Sequence, residues 1–309
     1  GEDILDPYGG AFKVTRGLSA AFPDRILTTP ISEAGIVGIA GGMALRGLRP
    51  IVEIMFGDFL TLSTDQIVNH LAKFRAMYNG QATCPVVIRT PMGGGRGYGP
   101  THSQSLEKMY LGVPHLTKLA PSHFHDAGSI LKRAVMLSED PVLFIEHKLL
   151  YSRELRLESS GSLSVEYDSP KGYPTAIVRN YLEGNPDALV VSYGGMSRLV
   201  EKFLEEMVDE EINIIACLPS DIGSVPLELL ARLTRQVDHV VLAEEGTANF
   251  GWTSEIAAYL HEICYPRPVK IARVTARPTV LPCARDLENA VLPSAEDLKR
   301  AVFRLLEGD

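Results

Sequence analysis

The chain has 309 residues, enough for about two domains of ordinary size, each with its own core. Its 30 Lys and Arg against 38 Asp and Glu leave a formal charge of −8, which argues against a nucleic-acid binder and its basic face. No signal peptide, long apolar span or polybasic tail is evident, and the cysteines Cys84, Cys217, Cys264 and Cys283 are widely spaced with no CxxC pair, so the expectation is a cytoplasmic protein with isolated thiols and no membrane contact.

The first segment, GEDILDPYGGAFKVTRGL, is loop-like, and an N-terminal element is expected to be missing from this chain or supplied elsewhere. Short β-branched runs then alternate with helical patterns. RILTTP, PIVEIMF, CPVVIRTP, LTKLAP and PVLFIEH read as strands, and EAGIVGIAGGMALRG, TLSTDQIVNHLAKFRAMY and HFHDAGSILKRAVMLSE as the helices between them. The first of those helices is uncharged from Ala34 to Leu45, with Gly35, Gly38, Gly41 and Gly42 at helix-like intervals, and is expected to pack closely on several sides. From Tyr151 the chain turns polar and irregular. A second alternation follows: ALVVSYG, SRLVEKFLEEMV, INIIACLP, SVPLELLARLTRQ, HVVLAEEG, GWTSEIAAYLHEIC and PVKIARVT. SAEDLKRAVFRLLE ends the chain as a helix with Ser294 as N-cap. The predicted architecture is α/β, two doubly wound domains with mainly parallel sheets, at 1–150 and 186–309, joined by a linker over 151–185.

Three features carry candidate chemistry. Glu33 stands at the head of the apolar helix, either as a surface acid favoured by the helix dipole by about 0.3–1 kcal/mol or as a carboxyl that shares a proton with a ligand nitrogen. Phe56 and Phe59 flank Gly57-Asp58 where a strand ends, the edge at which open α/β sheets present ligand sites, although such rings are more often core. Asp65 and Gln66 read as a polar helix face. Residues 89–105, RTPMGGGRGYGPTHSQS, hold five glycines and no GK[ST] ending, so the loop is no nucleotide P-loop. His102 in it is the candidate acid–base or substrate contact, against the plainer reading of a surface turn residue. His123 and His125, near an expected helix start, are not assigned to a metal, because residues two apart on a helix diverge and no third ligand is near in sequence.

GEDILDPYGGAFKVTRGL, TPISEAGIVGIAGGMALRGLRPIVEIMFGDF, DQIVNHLAKFRAMY, RTPMGGG, THSQSLE and DPVLFIEHKLLY together resemble the β subunit of thiamine-diphosphate-dependent 2-oxo-acid dehydrogenases, the decarboxylating components of the pyruvate and branched-chain complexes. The resemblance implies a transketolase-like pyrimidine-binding domain followed by a transketolase C-terminal-like domain. It implies that Glu33, in the SEAG motif, hydrogen-bonds the cofactor's aminopyrimidine. A proton shared there favours the imino tautomer that deprotonates the thiazolium carbon. By the same resemblance Phe59 packs on the pyrimidine ring, and Glu2 is linked to the cofactor site. His102 lies by the reacting centre, where it steers substrate or handles protons during acylation of a lipoyl group. DPVLFIEHKLLY corresponds to a segment that offers carbonyls to a structural cation in some relatives.

The family's GDG motif and following asparagine, which hold magnesium and the diphosphate, have no counterpart here: Gly57-Asp58 runs into Phe59 in the phenylalanine turn, and Gly308-Asp309 ends the sequence. The resemblance therefore implies an α-type partner, or a fused α-type segment, that carries magnesium and the diphosphate. It also implies an α2β2 assembly with paired β chains, and docking to a lipoyl acyltransferase core. LPSDIGSVPLELL, LAEEGTANFGWTSEIAA and Cys283 in VLPCARDLE depart from the family pattern, which bears on that docking and on the identity of the 2-oxo acid. Transketolase-type ketol transfer, and a scaffold subunit without catalysis, are the alternatives.

Overall fold

The computed structural model describes residues 1–169, 172–181 and 183–308; positions 170, 171 and 182 of the expected linker, and 309, lie outside the described residues. Two sheets organise the chain. The first contains β1 (Ile51–Glu53), β2 (Val87–Met92), β3 (Thr117–Leu119) and β4 (Val142–His147), in the order β1-β2-β4-β3 and parallel throughout. The second contains β5 (Ser164–Asp168), β6 (Thr175–Arg179), β7 (Ala188–Val191), β8 (Ile214–Pro219), β9 (His239–Thr247) and β10 (Lys270–Ala276), in the order β10-β9-β7-β8-β6-β5. Its β7–β10 are parallel, while β6 runs antiparallel to β8 and β5 antiparallel to β6. Every residue of β2, β7 and β8 is buried. Strands covered on both faces need no polar alternation, which is why they read as continuous apolar runs.

Three expectations change. RILTTP forms no strand: Leu27 is exposed, Pro30 ends the run, and its backbone bonds go to a local turn, where Arg25 N–H donates to Phe22 O at 3.0 Å, and to the chain start, where Thr29 N–H donates to Gly1 O at 3.0 Å. The stretch 151–185 is more than linker, because β5 and β6 lie in it and extend the second sheet. Residues 61–78 are not one α-helix. A 3₁₀ turn over Gly57–Ser63, a π turn over Gln66–Leu71 and a short α-helix over Phe74–Met77 follow one another.

The helix Glu33–Leu45 crosses this irregular segment closely. A Cβ on Gly38 would lie 3.3 Å from Gln66 Oε1, and one on Gly41 3.0 Å from Leu71 Cδ1, so those two glycines serve the crossing. The expectation of close packing on several sides holds for that face alone. Nothing lies within 4 Å of a Cβ on Gly42, and Ile39 is 63% exposed.

The two sheets are stitched together where β3 and β8 end. Ala120 N–H donates to Ser220 O at 2.8 Å and Ile222 N–H to Lys118 O at 2.9 Å. One apolar cluster runs from Ile36, Ile88 and Leu143 through Tyr110 and Tyr193 to Ile215 and Trp252. The closing helix Ala295–Glu307 has the predicted cap: Ser294 Oγ accepts from Asp297 N–H, and the Asp297 carboxylate accepts from Ser294 N–H at 2.9 Å. No helix among the described residues is long and apolar enough to cross a membrane.

Candidate active site

At the end of β1 the chain turns through Phe56–Phe59. Only glycine fits at position 57, where a Cβ would stand 2.3 Å from Met92 Cγ, and this close approach lays the turn on the end of β2. Asp58 is buried, and its Oδ1 accepts from Gln104 N–H at 3.3 Å and from Gln104 Nε2 at 2.8 Å. The phenylalanine turn thereby fixes the segment behind His102. The His102 ring stands edge-on to Phe56 and Phe59, with centroids 4.7 and 5.2 Å away and interplanar angles of 75° and 82°. Its Nδ1 lies 3.0 Å from Thr101 Oγ1. Phe59 and His102, 43 positions apart by their numbers, are thus neighbours.

Glu33 is the first residue of its helix, which Ser32 caps by accepting from Gly35 N–H at 3.3 Å. The residue is only 5% exposed, and its carboxylate makes no hydrogen bond among the described residues. Glu2 is buried to the same degree, and its Oε2 has no partner there either. Burial, and then the nearby charge of Glu33, raise the Glu2 pKa above the usual carboxylate range. The helix that carries Glu33 packs on the 3₁₀ turn that carries Phe59. Glu2 with Glu33, and Phe59 with His102, are therefore two pairs on adjoining elements.

These residues fit one half of thiamine diphosphate. An aminopyrimidine needs an acceptor in a dry site and an apolar surface beside it. Glu33, the orphaned Glu2 Oε2 and the Phe59 ring supply them. For the diphosphate end, no three His, Cys, Asp or Glu side chains converge as a metal site among the described residues.

The second half of the chain holds the glycine loop. Gly93, Gly95, Gly97 and Gly99 all have positive φ. Gly94 N–H donates to Glu245 Oε1 at 2.7 Å, and Gly95 and Gly97 donate to the two oxygens of Glu288 at 3.0 and 2.9 Å. His147, the last residue of β4, accepts from Leu149 N–H at Nδ1, so its proton sits on Nε2 and is donated to Glu245 Oε2 at 2.8 Å. Burial works against the Glu245 carboxylate, but His147, Gly94 N–H and Ser105 outweigh it and hold its pKa down to about 2. The His147 ring is wedged between backbones: a Cβ on Gly93 or Gly195 would lie 2.0 or 2.1 Å from it. Beside this, burial pushes Glu107 up to about 7 even though the Tyr193 hydroxyl donates to it.

Reading the sequence passes over Glu245, Glu107, Tyr193, His147 and Lys148. The available signal is position, since β4 runs into His147-Lys148 and β9 carries Glu244-Glu245 near its end, and polar groups there face a ligand edge. His123 and His125 lie before the helix rather than on it, because that helix begins at Ala127 behind its Asp126 cap. His123 bridges Ser197 Oγ at 2.8 Å and Glu201 Oε2 at 3.1 Å, and His125 Nδ1 accepts from Ser122 N–H at 3.0 Å. Both histidines are buried structural groups.

Comparison with known proteins bears on the family and the fold. Residues 1–154 match the transketolase pyrimidine-binding domain family and residues 179–298 the transketolase C-terminal domain family. The pyruvate dehydrogenase E1 component subunit beta-1, mitochondrial, of Arabidopsis thaliana is 34% identical over 296 residues, 94% of this chain and 78% of that protein. The 2-oxoisovalerate dehydrogenase subunit beta of Bacillus subtilis is 35% identical over 265 residues, 85% of this chain and 78% of its own length. The acetoin:2,6-dichlorophenolindophenol oxidoreductase subunit beta of Cupriavidus necator is 33% identical, covering 84% and 76%. A solved split-gene transketolase, an inactive beta4 tetramer, superposes with a TM-score of 0.71 over 95% of this chain and 88% of its own, at 20% identity, which speaks to the fold. The chain belongs to the family of 2-oxo-acid dehydrogenase E1 β subunits, built from a transketolase pyrimidine-binding and a transketolase C-terminal domain.

Proposed function

We propose, from that membership, that the chain is the pyrimidine-side half of a thiamine-diphosphate-dependent 2-oxo-acid dehydrogenase. In this reading an α-type partner carries the diphosphate and magnesium. The observation that carries it is Glu33: a carboxylate at the head of an apolar helix, buried, free of protein hydrogen bonds among the described residues, and set beside a second buried acid. When bound, the cofactor supplies a nucleophilic carbon and an electron sink for decarboxylation.

The chain's own residues prepare that chemistry. Glu33 would hold the pyrimidine ring nitrogen by accepting a hydrogen bond from it and sharing its proton. Glu2, its pKa raised by burial and by the charge of Glu33, would stand beside it as a second acid. Phe59 gives the ring a flat apolar wall. His102, held edge-on by Phe56 and Phe59, directs its imidazole toward the substrate and, in a lipoyl-linked complex, toward the acyl acceptor.

The open side of the Glu33–Leu45 helix, where Ile39 is exposed, and exposed Ile31 just before that helix support a partner chain there. Pairing of β chains and docking to a lipoyl acyltransferase core belong to the same proposal, as does a cytoplasmic location. The relatives named for pyruvate and for 2-oxoisovalerate are similar to almost the same degree, so the proposal is of a 2-oxo acid as a class.

Calorimetry with thiamine diphosphate and magnesium tests it, on this chain alone and with a candidate α-type protein. Binding only in the mixture is the expected result. Tight binding by this chain alone would overturn the split site.

A further inference from the structure

Lys148 follows β4 directly and is fully buried, an unusual place for an ammonium unless its protons are used. Its Nζ donates to the carbonyl of Gly93 at 2.7 Å and to that of His102 at 2.5 Å. These two carbonyls open and close the glycine-rich stretch. The same nitrogen lies 5.3 Å from the Phe56 ring centroid and 5.9 Å from that of Tyr98. We propose that Lys148 is a positioning residue that staples the two ends of the 93–102 loop together and thereby fixes where the His102 imidazole stands; this rests on the reading of His102 as a site residue.

The chemistry of the loop calls for such a group. Four of its glycines sit at positive φ, and a glycine backbone loses more freedom on ordering than any other. Glu245 and Glu288 grip its N–H groups, but carboxylates only accept and cannot hold its carbonyls. Lys148 is a buried donor that reaches two of those carbonyls at once. The charges around it are Asp58, Glu245 and Glu288, which favour the ammonium, and Arg96, which opposes it. Burial is the largest influence and lowers the ammonium to about 8. With the His102 carbonyl tied down and Gln104 fixed to Asp58 at 2.8 Å, the imidazole is set against Phe56 and Phe59 before any ligand arrives.

Amide hydrogen exchange on the full chain tests this without cofactor, so the staple stands or falls separately from the thiamine reading. Lys148→Met keeps the length and removes the donors. The expected result is exchange about tenfold faster across 93–104 than in the wild type, with the helix Ala295–Glu307 unchanged as an internal reference. The His102 ring-proton resonance should also shift as the imidazole leaves its aromatic neighbours, and Lys148→Arg should restore most of the protection. Unchanged protection of the loop in a folded Met variant would overturn the proposal. If the Met variant does not fold, the wild type still decides: a slowly exchanging Nζ proton signal coupled to the carbonyl carbons of Gly93 and His102 supports the staple, and a freely exchanging ammonium refutes it.

Discussion

The Tyr193 hydroxyl donates to Glu107 Oε1 at 2.5 Å, joining the end of β7 to the turn that follows His102. The second oxygen of Glu107 is buried without a partner among the described residues. Burial therefore dominates, and the carboxyl pKa rises from 4.5 to about 7. Since the folded value lies above the unfolded one, the folded chain holds more protons between those values. Stability falls as pH rises from 4.5 toward 7, by about 3 kcal/mol in all. Glu107→Gln keeps an acceptor for Tyr193 and has no proton to lose. The urea midpoint should fall more between pH 5 and pH 8 for the wild type than for the variant; parallel declines would refute this.

Glu33→Gln and Glu33→Ala should separate function from folding. The carboxylate has no hydrogen bond within the described protein, so thermal midpoints should move little. Turnover of a 2-oxo acid by the chain with its α-type partner should drop by about a hundredfold or more. Retained turnover in Glu33→Ala would leave only the scaffold reading.

Phe59→Ala removes one of the two rings that hold His102, and the apolar wall proposed for the pyrimidine. Thiamine diphosphate binding in the partnered complex should weaken about fivefold, the worth of one aromatic contact at roughly 1 kcal/mol. Unaltered affinity would move the cofactor away from this turn.

Glu201 gathers Arg153, Arg156 and His123, tying the polar 152–160 stretch to the helix Ser197–Asp209. Burial opposes its charge, but His123 and the arginines hold its pKa down to about 2. This contribution is present above pH 4.5 and is lost as pH falls toward 2. Glu201→Ala strands three partners and should lower stability at pH 7 by about 3 kcal/mol. The same variant should lose less on acidification, read from melts at pH 7 and pH 3. A wild-type-like melt at pH 7 would show that the cluster is ornamental.

The residues that could be read from sequence are those whose local context is discordant. Glu33 heads an apolar glycine run, Ser294 stands before paired acids, and Phe59 lies where a strand ends. Glu107 could not be read that way, because SQSLEKMY looks like surface and its burial comes from Tyr193, 86 positions later. RILTTP has the composition of a strand but no neighbour to pair with, and pairing rather than propensity makes a sheet. The π turn at Gln66–Leu71 escaped because one extra residue in a helical turn leaves the apolar spacing of Ile67 and Leu71 intact. The staple by Lys148 and the grip of Glu245 depend on the meeting of the two halves, which no local pattern encodes.

The wedge of the His147 ring between Gly93 and Gly195 has a hereditary consequence. Either glycine can acquire a side chain only after the imidazole has gone, and loss of the imidazole leaves Glu245 Oε2 without its donor. Three codons from distant stretches of the gene are therefore bound into one unit of variation. Descendants of this chain should keep all three residues or exchange them together, and an isolated change at any one should be rare.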